Sequence, residues 1–279
     1  MVQVQRTPFD GAGFREKYGP WAVIAGASDG TGEAFAEQLA ELGINLVLVS
    51  RRPAVLEELG RRLAAAHGIS YRVIVADLTH EGATARLVEE TADLDVGLYV
   101  SNAGVVGDPD TFLDTPLETS LSSIRMNVQN LAIALHGFGR RLRERGRGGL
   151  VVMSSGSALG GIPLRGNYAA TKSYGLVIAE SMWGELADDG VDVIAVVAPT
   201  MDTPTLRRGP AGNKLAPEDC FSAADVSHEA LARLGTDPTI VFAGMVSGPT
   251  TTEIEQERRR RVEGYRAWAK TFLGSKAEA

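Results

Sequence analysis

Tyr168 and Lys172 stand four residues apart in the segment YAATK, so on a helix their side chains share one face. The phenol of a tyrosine ordinarily has a pKa of about 10 and is a poor acid–base group at neutral pH. A lysine ammonium group one helical turn away favours the phenolate and lowers that pKa. The pair therefore indicates proton transfer, although an exposed helix pair without a function is the usual explanation of this spacing.

The glycine-rich stretch AVIAGASDGTG permits two incompatible interpretations. From Gly26 to Gly30 it reads G-x-S-x-G, the turn that presents a serine nucleophile in many hydrolases, here Ser28. Extended to Gly32, it reads G-x-x-x-G-x-G, which can hold a dinucleotide pyrophosphate at the start of a helix. Roughly twenty residues precede Ala22, too few for the ~30-residue strand–helix–strand unit that would carry the upstream part of a hydrolase site. We therefore favour the phosphate-binding turn over the hydrolase.

Polar turns also follow four later apolar segments, which weakens the alternative that the glycines form only a tight turn. These turns contain Asp77, the run Asn102-Ala103-Gly104, the pair Ser154-Ser155 and the pair Pro199-Thr200. Because the carboxyl ends of parallel strands meet at one edge of a sheet, the turns indicate a single site built along that edge.

Apolar segments of strand length alternate with segments of helical periodicity along most of the chain. The predicted strands are Ala22–Ala25, Asn45–Ser50, Tyr71–Val75, Val96–Ser101, Gly149–Ser154, Val191–Val197 and Thr239–Ala243. Strands that are apolar on both faces and alternate with helices predict a doubly wound, mostly parallel α/β sheet with helices on both faces. We predict one domain over residues 1–249 and a C-terminal helical extension over residues 250–279.

The extension is rich in charge, and its spacing predicts ion pairs on a solvated helix face. Glu255 precedes Arg259 by four residues, and Glu257 precedes Arg261 by four. Val262, Tyr265 and Trp268 would form an apolar stripe on the same helix.

Composition excludes several classes of protein. The 279 residues carry a formal net charge of −7, which argues against a general nucleic-acid binder. The single cysteine, Cys220, excludes an internal disulfide framework and fits a reducing compartment. The four histidines are scattered, so we expect no metal. The apolar runs are too short to span a bilayer and no signal-peptide core is present, so we expect a cytoplasmic protein.

Taken together and in order, the motifs AGASDGTG, DL, NAG, MNV, SSGS and YAATK resemble those of the short-chain dehydrogenase/reductase family, from about Trp21 to Ala243. The resemblance implies a Rossmann-like fold and nicotinamide-dependent interconversion of alcohols and carbonyls. It implies Tyr168 as general acid–base, Lys172 as the group that tunes the tyrosine and anchors the ribose, and Ser155 as the group that holds the substrate carbonyl. It further implies that Asn127 holds a water in a proton relay. Ser154 and Ser157 are weaker alternatives to Ser155.

The same resemblance indicates where the cofactor lies and which cofactor it is. The implied contacts are Gly26, Ser28, Asp29, Gly30, Thr31, Gly32, Ser50, Arg51, Asp77, Leu78, Asn102, Ala103, Gly104, Tyr168, Lys172, Pro199, Thr200 and Thr203. Ser50 stands where an NAD-preferring member has an acid, and the guanidinium of Arg51 suits a 2′-phosphate, so we predict NADP(H). Asp29 opposes this prediction, because many NADP-preferring relatives have a basic residue there. Thr203 is favoured over Thr205 for contact with the nicotinamide carboxamide.

Several segments resemble more narrowly the branch of 17β-hydroxysteroid dehydrogenases and 3-oxoacyl-CoA reductases, although many members of that branch are membrane-anchored. We expect a small hydrophobic ketone or alcohol as substrate, held by the loops Ser155–Asn167 and Pro204–Phe221. A homodimer or homotetramer is expected through the helices predicted at Leu121–Arg143 and Tyr168–Leu186. A protein that binds NADP(H) as a sensor or scaffold, without catalysis, is the alternative from another functional class.

Overall fold

The computed structural model describes residues 1–107, 109–209, 214–242 and 250–272, with side chains described to residue 264. Seven strands form one sheet: β1 (Trp21–Ala25), β2 (Asn45–Ser50), β3 (Tyr71–Val75), β4 (Val96–Ser101), β5 (Gly148–Met153), β6 (Val191–Val197) and β7 (Thr239–Val241). All neighbouring strands are parallel, in the order β3-β2-β1-β4-β5-β6-β7. The order reverses beside β1, so the predicted doubly wound sheet is confirmed.

Helices cover both faces of this sheet and divide the core into two layers. Within the described residues they are α1 (Gly11–Tyr18), α2 (Gly30–Glu41), α3 (Pro53–His67), α4 (Ala83–Glu90), α5 (Leu117–Ile124), α6 (Asn130–Arg145), α7 (Gly166–Leu186), α8 (Pro204–Arg208), α9 (Ala223–Ala232) and α10 (Thr251–Phe272). One layer joins α1, α2, α3 and α9 to the sheet, and the other joins α4, α6 and α7. Strands buried on both sides explain the continuous apolar runs of the sequence.

The strand predictions agree with the structure to within one or two residues at their ends, and Ala243 lies outside the described residues. The N-terminal segment, for which no element was predicted, contains α1. Its Tyr18 hydroxyl donates a hydrogen bond of 2.5 Å to Asp192, and Thr7 bonds to the carboxylate of Glu229. The segment before β1 is therefore bonded to β6 and to α9.

The predicted helix over Leu121–Arg143 is divided in the structure. A five-residue π-helical segment, Arg125–Gln129, separates α5 from α6. A π turn inserts an extra residue into the helical register and changes the direction in which side chains point. Asn127, a predicted site residue, lies in this segment and is buried.

The C-terminal extension forms α10, but only one of its two predicted ion pairs exists. Arg261 bonds to Glu257 at 2.8 Å as predicted. The predicted pair of Glu255 with Arg259 is wrong, because Glu255 bonds instead to Arg233. The side chains of Tyr265 and Trp268 lie outside the described residues. Contacts with the rest of the molecule thus outweigh local helical spacing in α10.

Candidate active site

A cleft of about 680 Å³ opens at the carboxyl edge of the sheet, beside the point where the strand order reverses. Sheets of this kind bind ligands at that position. The predicted residues that line the cleft are Gly26, Ser28, Asp29, Gly30, Thr31, Ser50, Arg51, Asp77, Leu78, Asn102, Ala103, Gly104, Ser154, Ser155, Tyr168, Lys172, Pro199, Thr203 and Thr205. The turns predicted to form one site are therefore brought together. Gly32, Asn127 and Thr200 do not line it.

The glycine turn after β1 is shaped by contacts that only glycine permits. Gly26 and Gly30 have φ angles of 84° and 59°, in the left-handed region. A Cβ on Gly32 would lie 1.9 Å from the carbonyl oxygen of Gly26, so this position packs the helix against the turn. The Asn102 amide donates to that same oxygen at 3.0 Å and holds the turn from β4. The turn leads directly into α2, whose N-terminal amides suit an anion.

The surroundings of Ser28 do not support the hydrolase hypothesis. The Ser28 hydroxyl accepts hydrogen bonds from the guanidinium of Arg52, at 2.9 Å and 3.2 Å. A guanidinium stays protonated and cannot act as the base that a serine nucleophile needs. Ser28 therefore lines the cleft and is not an activated nucleophile.

Two arginines follow β2, and they occupy different positions. Arg51 lies 3.7 Å from Asp77 and its side chain is 70% exposed, which leaves it free to turn into the cleft. Arg52, which was not among the predicted contacts, bonds to Ser28 and lies 2.9 Å from Asp29. Its signal in the sequence was the doubled arginine of VSRRP. Ser50 accepts a hydrogen bond from the backbone amide of Arg52 at 3.1 Å.

Tyr168 and Lys172 lie on α7 with the lysine ammonium 5.9 Å from the centre of the tyrosine ring. Burial lowers the pKa of Lys172 to about 8, and its ammonium donates to the carbonyl of Met153 at 2.8 Å. The expectation that the pKa of Tyr168 is lowered is wrong for this structure. Burial raises that pKa, and a hydrogen bond with Ser155 and the charge of Arg165 oppose the rise only in part.

The three candidate serines have distinct surroundings. Ser155 lines the cleft, hydrogen-bonds to Tyr168 and accepts from the amide of Ser157 at 3.2 Å. The buried Ser154 donates its hydroxyl to the carbonyl of Lys172 at 2.8 Å. Both serines line the cleft, but the hydroxyl of Ser154 is engaged with the backbone of α7, whereas Ser155 is the one beside the Tyr168 hydroxyl.

Asn127 is engaged with the segment after β4. Its carbonyl oxygen accepts from the amide of Val105 at 3.0 Å, and its amide nitrogen donates to the carbonyl of Val105 at 2.9 Å and to the hydroxyl of Thr171 at 3.1 Å. A Cβ on Gly104 would lie 3.3 Å from both Asn127 Oδ1 and Lys172 Nζ. Asn127 is therefore close to the Lys172 ammonium, and its side chain fixes the NAG turn.

The segment after β6 lies against the glycine turn. The Thr203 hydroxyl accepts from the amide of Leu206 at 3.2 Å and caps α8, while Thr200 is exposed and its carbonyl accepts from the amide of Phe221. Arg208, for which the sequence carried no signal, reaches the carboxylate of Asp29 at 2.8 Å. Of the predicted loop Pro204–Phe221, residues 210–213 lie outside the described residues.

A second, small cavity of about 50 Å³ also has Tyr168 in its wall. Its walls include Val106, Phe112 and Leu164, and Arg165 donates to the carbonyl of Gly107 across its edge at 2.7 Å. The loop Ser155–Asn167 was predicted to line a substrate pocket; the segment around Val106 and Phe112 was not. It carries no motif, and only the fold brings it to Tyr168.

Three further observations concern the cysteine, membrane-spanning helices and metal-binding clusters. Cys220 is buried and free. No helix in the described residues is long and apolar enough to cross a bilayer. Within the same ranges, no three His, Cys, Asp or Glu side chains meet in a cluster suited to a metal ion.

Comparison with known proteins gives the chain its family. A family model described as short chain dehydrogenase matches residues 20–213. The 7beta-hydroxysteroid dehydrogenase of Clostridium sardiniense is 33% identical over 224 residues, which are 80% of this chain and 85% of that protein. The 17-beta-hydroxysteroid dehydrogenase type 3 of Homo sapiens is 32% identical over 188 residues, 67% of this chain and 60% of that protein. A solved structure of a 7beta-hydroxysteroid dehydrogenase superposes with a TM-score of 0.76 at 28% identity, covering 90% of this chain and 99% of that one. The chain is an oxidoreductase of the short-chain dehydrogenase family, related to its hydroxysteroid dehydrogenases.

Proposed function

We propose that the protein is an NADP(H)-dependent oxidoreductase that interconverts a hydrophobic, hydroxysteroid-like ketone and its secondary alcohol. The observation that carries the proposal is one cleft that is lined both by Tyr168, Ser155 and Lys172 and by Arg51 and Arg52. An acid–base pair and a cationic phosphate site on one continuous wall fit a dinucleotide that reacts at one end and is anchored at the other.

The residues of the cleft fit NADP(H). Gly32 approaches Gly26 so closely that no side chain fits at this point of the turn. A pyrophosphate could therefore reach the backbone amides at the start of α2. Arg51 and Arg52, with Ser28 and Ser50, suit the 2′-phosphate, and no carboxylate stands at position 50 to repel it. The fit supports the phosphorylated dinucleotide over NAD(H).

When bound, the nicotinamide cofactor supplies or accepts the hydride. Because burial raises its pKa, Tyr168 is protonated at neutral pH and can donate its hydroxyl proton to the carbonyl oxygen during reduction. Ser155 donates a hydrogen bond to the same oxygen and fixes its position. The ammonium of Lys172, beside Tyr168, stabilises the phenolate that remains. Asn127 holds the segment after β4 in place for these groups.

The substrate class is based on the relatives and on three apolar side chains of the second cavity, whose other walls are mostly polar. Val106, Phe112 and Leu164 present apolar surface beside Tyr168, and Phe112 is 60% exposed. An exposed aromatic ring at the rim of a cavity suits a rigid apolar ligand. The similarity to proteins named 7beta- and 17-beta-hydroxysteroid dehydrogenases favours a steroid skeleton among such ligands.

The decisive variant is Tyr168→Phe, which removes the proton donor and keeps the ring. With NADPH and a panel of ketosteroids, we expect a fall in kcat of at least about 100-fold. The dissociation constant for NADPH, from nucleotide fluorescence, should stay within about twofold because the cofactor contacts remain. The exposed Val55→Ala serves as the control.

Retained turnover in Tyr168→Phe would contradict the assignment of the acid. Wild-type protein that binds NADPH but reduces no carbonyl in the panel would instead favour the sensor or scaffold alternative.

A further inference from the structure

Asp29 carries a negative charge inside the cleft that is proposed to bind a phosphate. It stands at the N-cap position of α2, but its carboxylate makes no capping hydrogen bond to the helix. The carboxylate is directed to the cleft instead, where only 19% of the side chain remains exposed. Salt bridges and hydrogen bonds to Arg208 and Arg52 outweigh the effect of burial and lower the pKa of Asp29, so the group is ionised at neutral pH.

Two arginines from different parts of the fold share one oxygen of this carboxylate. Arg52 Nη2 lies 2.9 Å and Arg208 Nη2 lies 2.8 Å from Asp29 Oδ2. Thr205 adds a contact of 3.3 Å from its hydroxyl to Oδ1, and Arg208 also donates to that hydroxyl at 3.2 Å. Arg52 follows β2, whereas Arg208 and Thr205 lie on α8, across the cleft.

We propose that Arg208 is a specificity-determining residue for NADP(H): it offsets the charge of Asp29 and so leaves a net positive charge around Arg51 and Arg52 for the 2′-phosphate. The inference rests on the function proposed above. It assigns a role in cofactor choice to α8, which follows β6 and lies outside every motif of the glycine turn or of β2.

The charges of the cleft explain the need for a third arginine. Arg51 faces Asp77, and Arg52 faces Asp29, so these two cations alone are balanced by two carboxylates. A doubly charged 2′-phosphate placed there would meet no net positive charge. With Arg208 bonded to Asp29, three guanidinium groups face two carboxylates and the phosphate is attracted.

The test is a double-mutant cycle on cofactor binding, read by nucleotide fluorescence with NADPH and NADH separately. Arg208→Gln should weaken NADPH about tenfold, or ~1.4 kcal/mol, and change NADH by less than about twofold. Arg208→Lys should restore most of the loss because it returns the charge. The double variant Asp29→Asn with Arg208→Gln should also recover NADPH binding, since the uncompensated carboxylate is gone.

Arg61→Gln is the matched control: it removes one exposed arginine, paired with Glu58, on the outer side of α3. It should change neither dissociation constant. Because Arg208 is 61% exposed, its effect should shrink between ~50 mM and ~500 mM salt, as screening of exposed charges requires.

Three results would overturn the inference: an unchanged NADPH affinity in Arg208→Gln, an equal loss for NADPH and NADH, or a double variant that recovers nothing. An equal loss would mean that Arg208 binds a part common to both cofactors. The failure of the proposed function looks different, because the wild-type protein itself would then lack a preference for NADPH.

Discussion

The buried ammonium of Lys172 has a cost in stability that depends on pH. Its pKa is about 8 in the folded protein, against 10.5 for an ordinary lysine, because burial disfavours the charged form. The unfolded chain therefore binds this proton more tightly than the folded one. Folded stability rises as pH climbs from about 8 to about 10.5, and the full cost is present below pH 8.

We therefore expect Lys172→Met to stabilise the cofactor-free protein more at pH 7 than at pH 10.5. The difference between the two pH values should be on the order of 3 kcal/mol in the free energy of unfolding. Urea denaturation of both proteins at both pH values measures it. Lys214→Met, at an exposed lysine, should show no such difference. A Lys172→Met effect that is equal at both pH values would contradict a lowered pKa.

At the scale of single residues, the sequence reveals groups whose partners are close along the chain. That Tyr168, Lys172 and Ser155 line one cleft could be predicted because they lie within one loop and the helix after it. Arg208 could not, because its role depends on a contact with Asp29 across 179 residues of chain. The pKa of Tyr168 was predicted in the wrong direction because helical spacing gives the position of a neighbouring charge but not the depth of burial.

At the scale of elements, a buried ion pair joins α10 to α7. Glu180 of α7 accepts hydrogen bonds from Arg258 of α10 and from the hydroxyl of Thr239 in β7, the latter at 2.6 Å. The side chain of Glu180 is only 11% exposed. Since Arg258 is the charged partner of a buried carboxylate, its removal would leave that charge uncompensated.

We expect Arg258→Met to lower the free energy of unfolding by about 3–5 kcal/mol. The double variant Glu180→Leu with Arg258→Met should recover most of that loss, because it removes both charges from the interior. Urea denaturation measures both, and limited proteolysis reports whether α10 is released. Arg260→Met, at an exposed arginine of the same helix, is the control. If the single and double variants are equally unstable, the ion pair is not what holds α10.

The elements that could be predicted from the sequence are those with one clear hydrophobic pattern. β2, β4 and β6 have the predicted limits because their apolar runs are buried on both faces and end at polar turns. The π segment Arg125–Gln129 could not be predicted, since its residues fit an ordinary helix equally well. α1 was missed because it is short and only two of its residues, Phe14 and Tyr18, are buried.

At the scale of the whole molecule, α5 and α7 expose apolar side chains that neither core layer buries in the described part of the chain. α5 packs against α7. On α5, the apolar residues Leu117, Leu121 and Ile124 are 70%, 39% and 39% exposed at helical spacing, and Val177 on α7 is 55% exposed. Apolar side chains grouped on neighbouring helices are typical of a surface that binds another protein. The sequence predicted self-association through Leu121–Arg143 and Tyr168–Leu186, a prediction that includes α7 but reaches only the last turn of α5 and otherwise falls mainly on α6.

We expect this α5–α7 face to join two copies of the chain around a two-fold axis, because a closed symmetric pair covers the same apolar residues on both subunits. Light scattering after size-exclusion chromatography should then give a mass that is two or four times 29.6 kDa. Leu121→Glu with Val177→Glu places a charge on each of the two helices and should yield monomers. Val55→Glu introduces the same side chain at an exposed apolar position of α3 and should leave the mass unchanged. A wild-type protein that is monomeric at micromolar concentration, or a double variant that keeps the wild-type mass, would mean that this face does not mediate self-association.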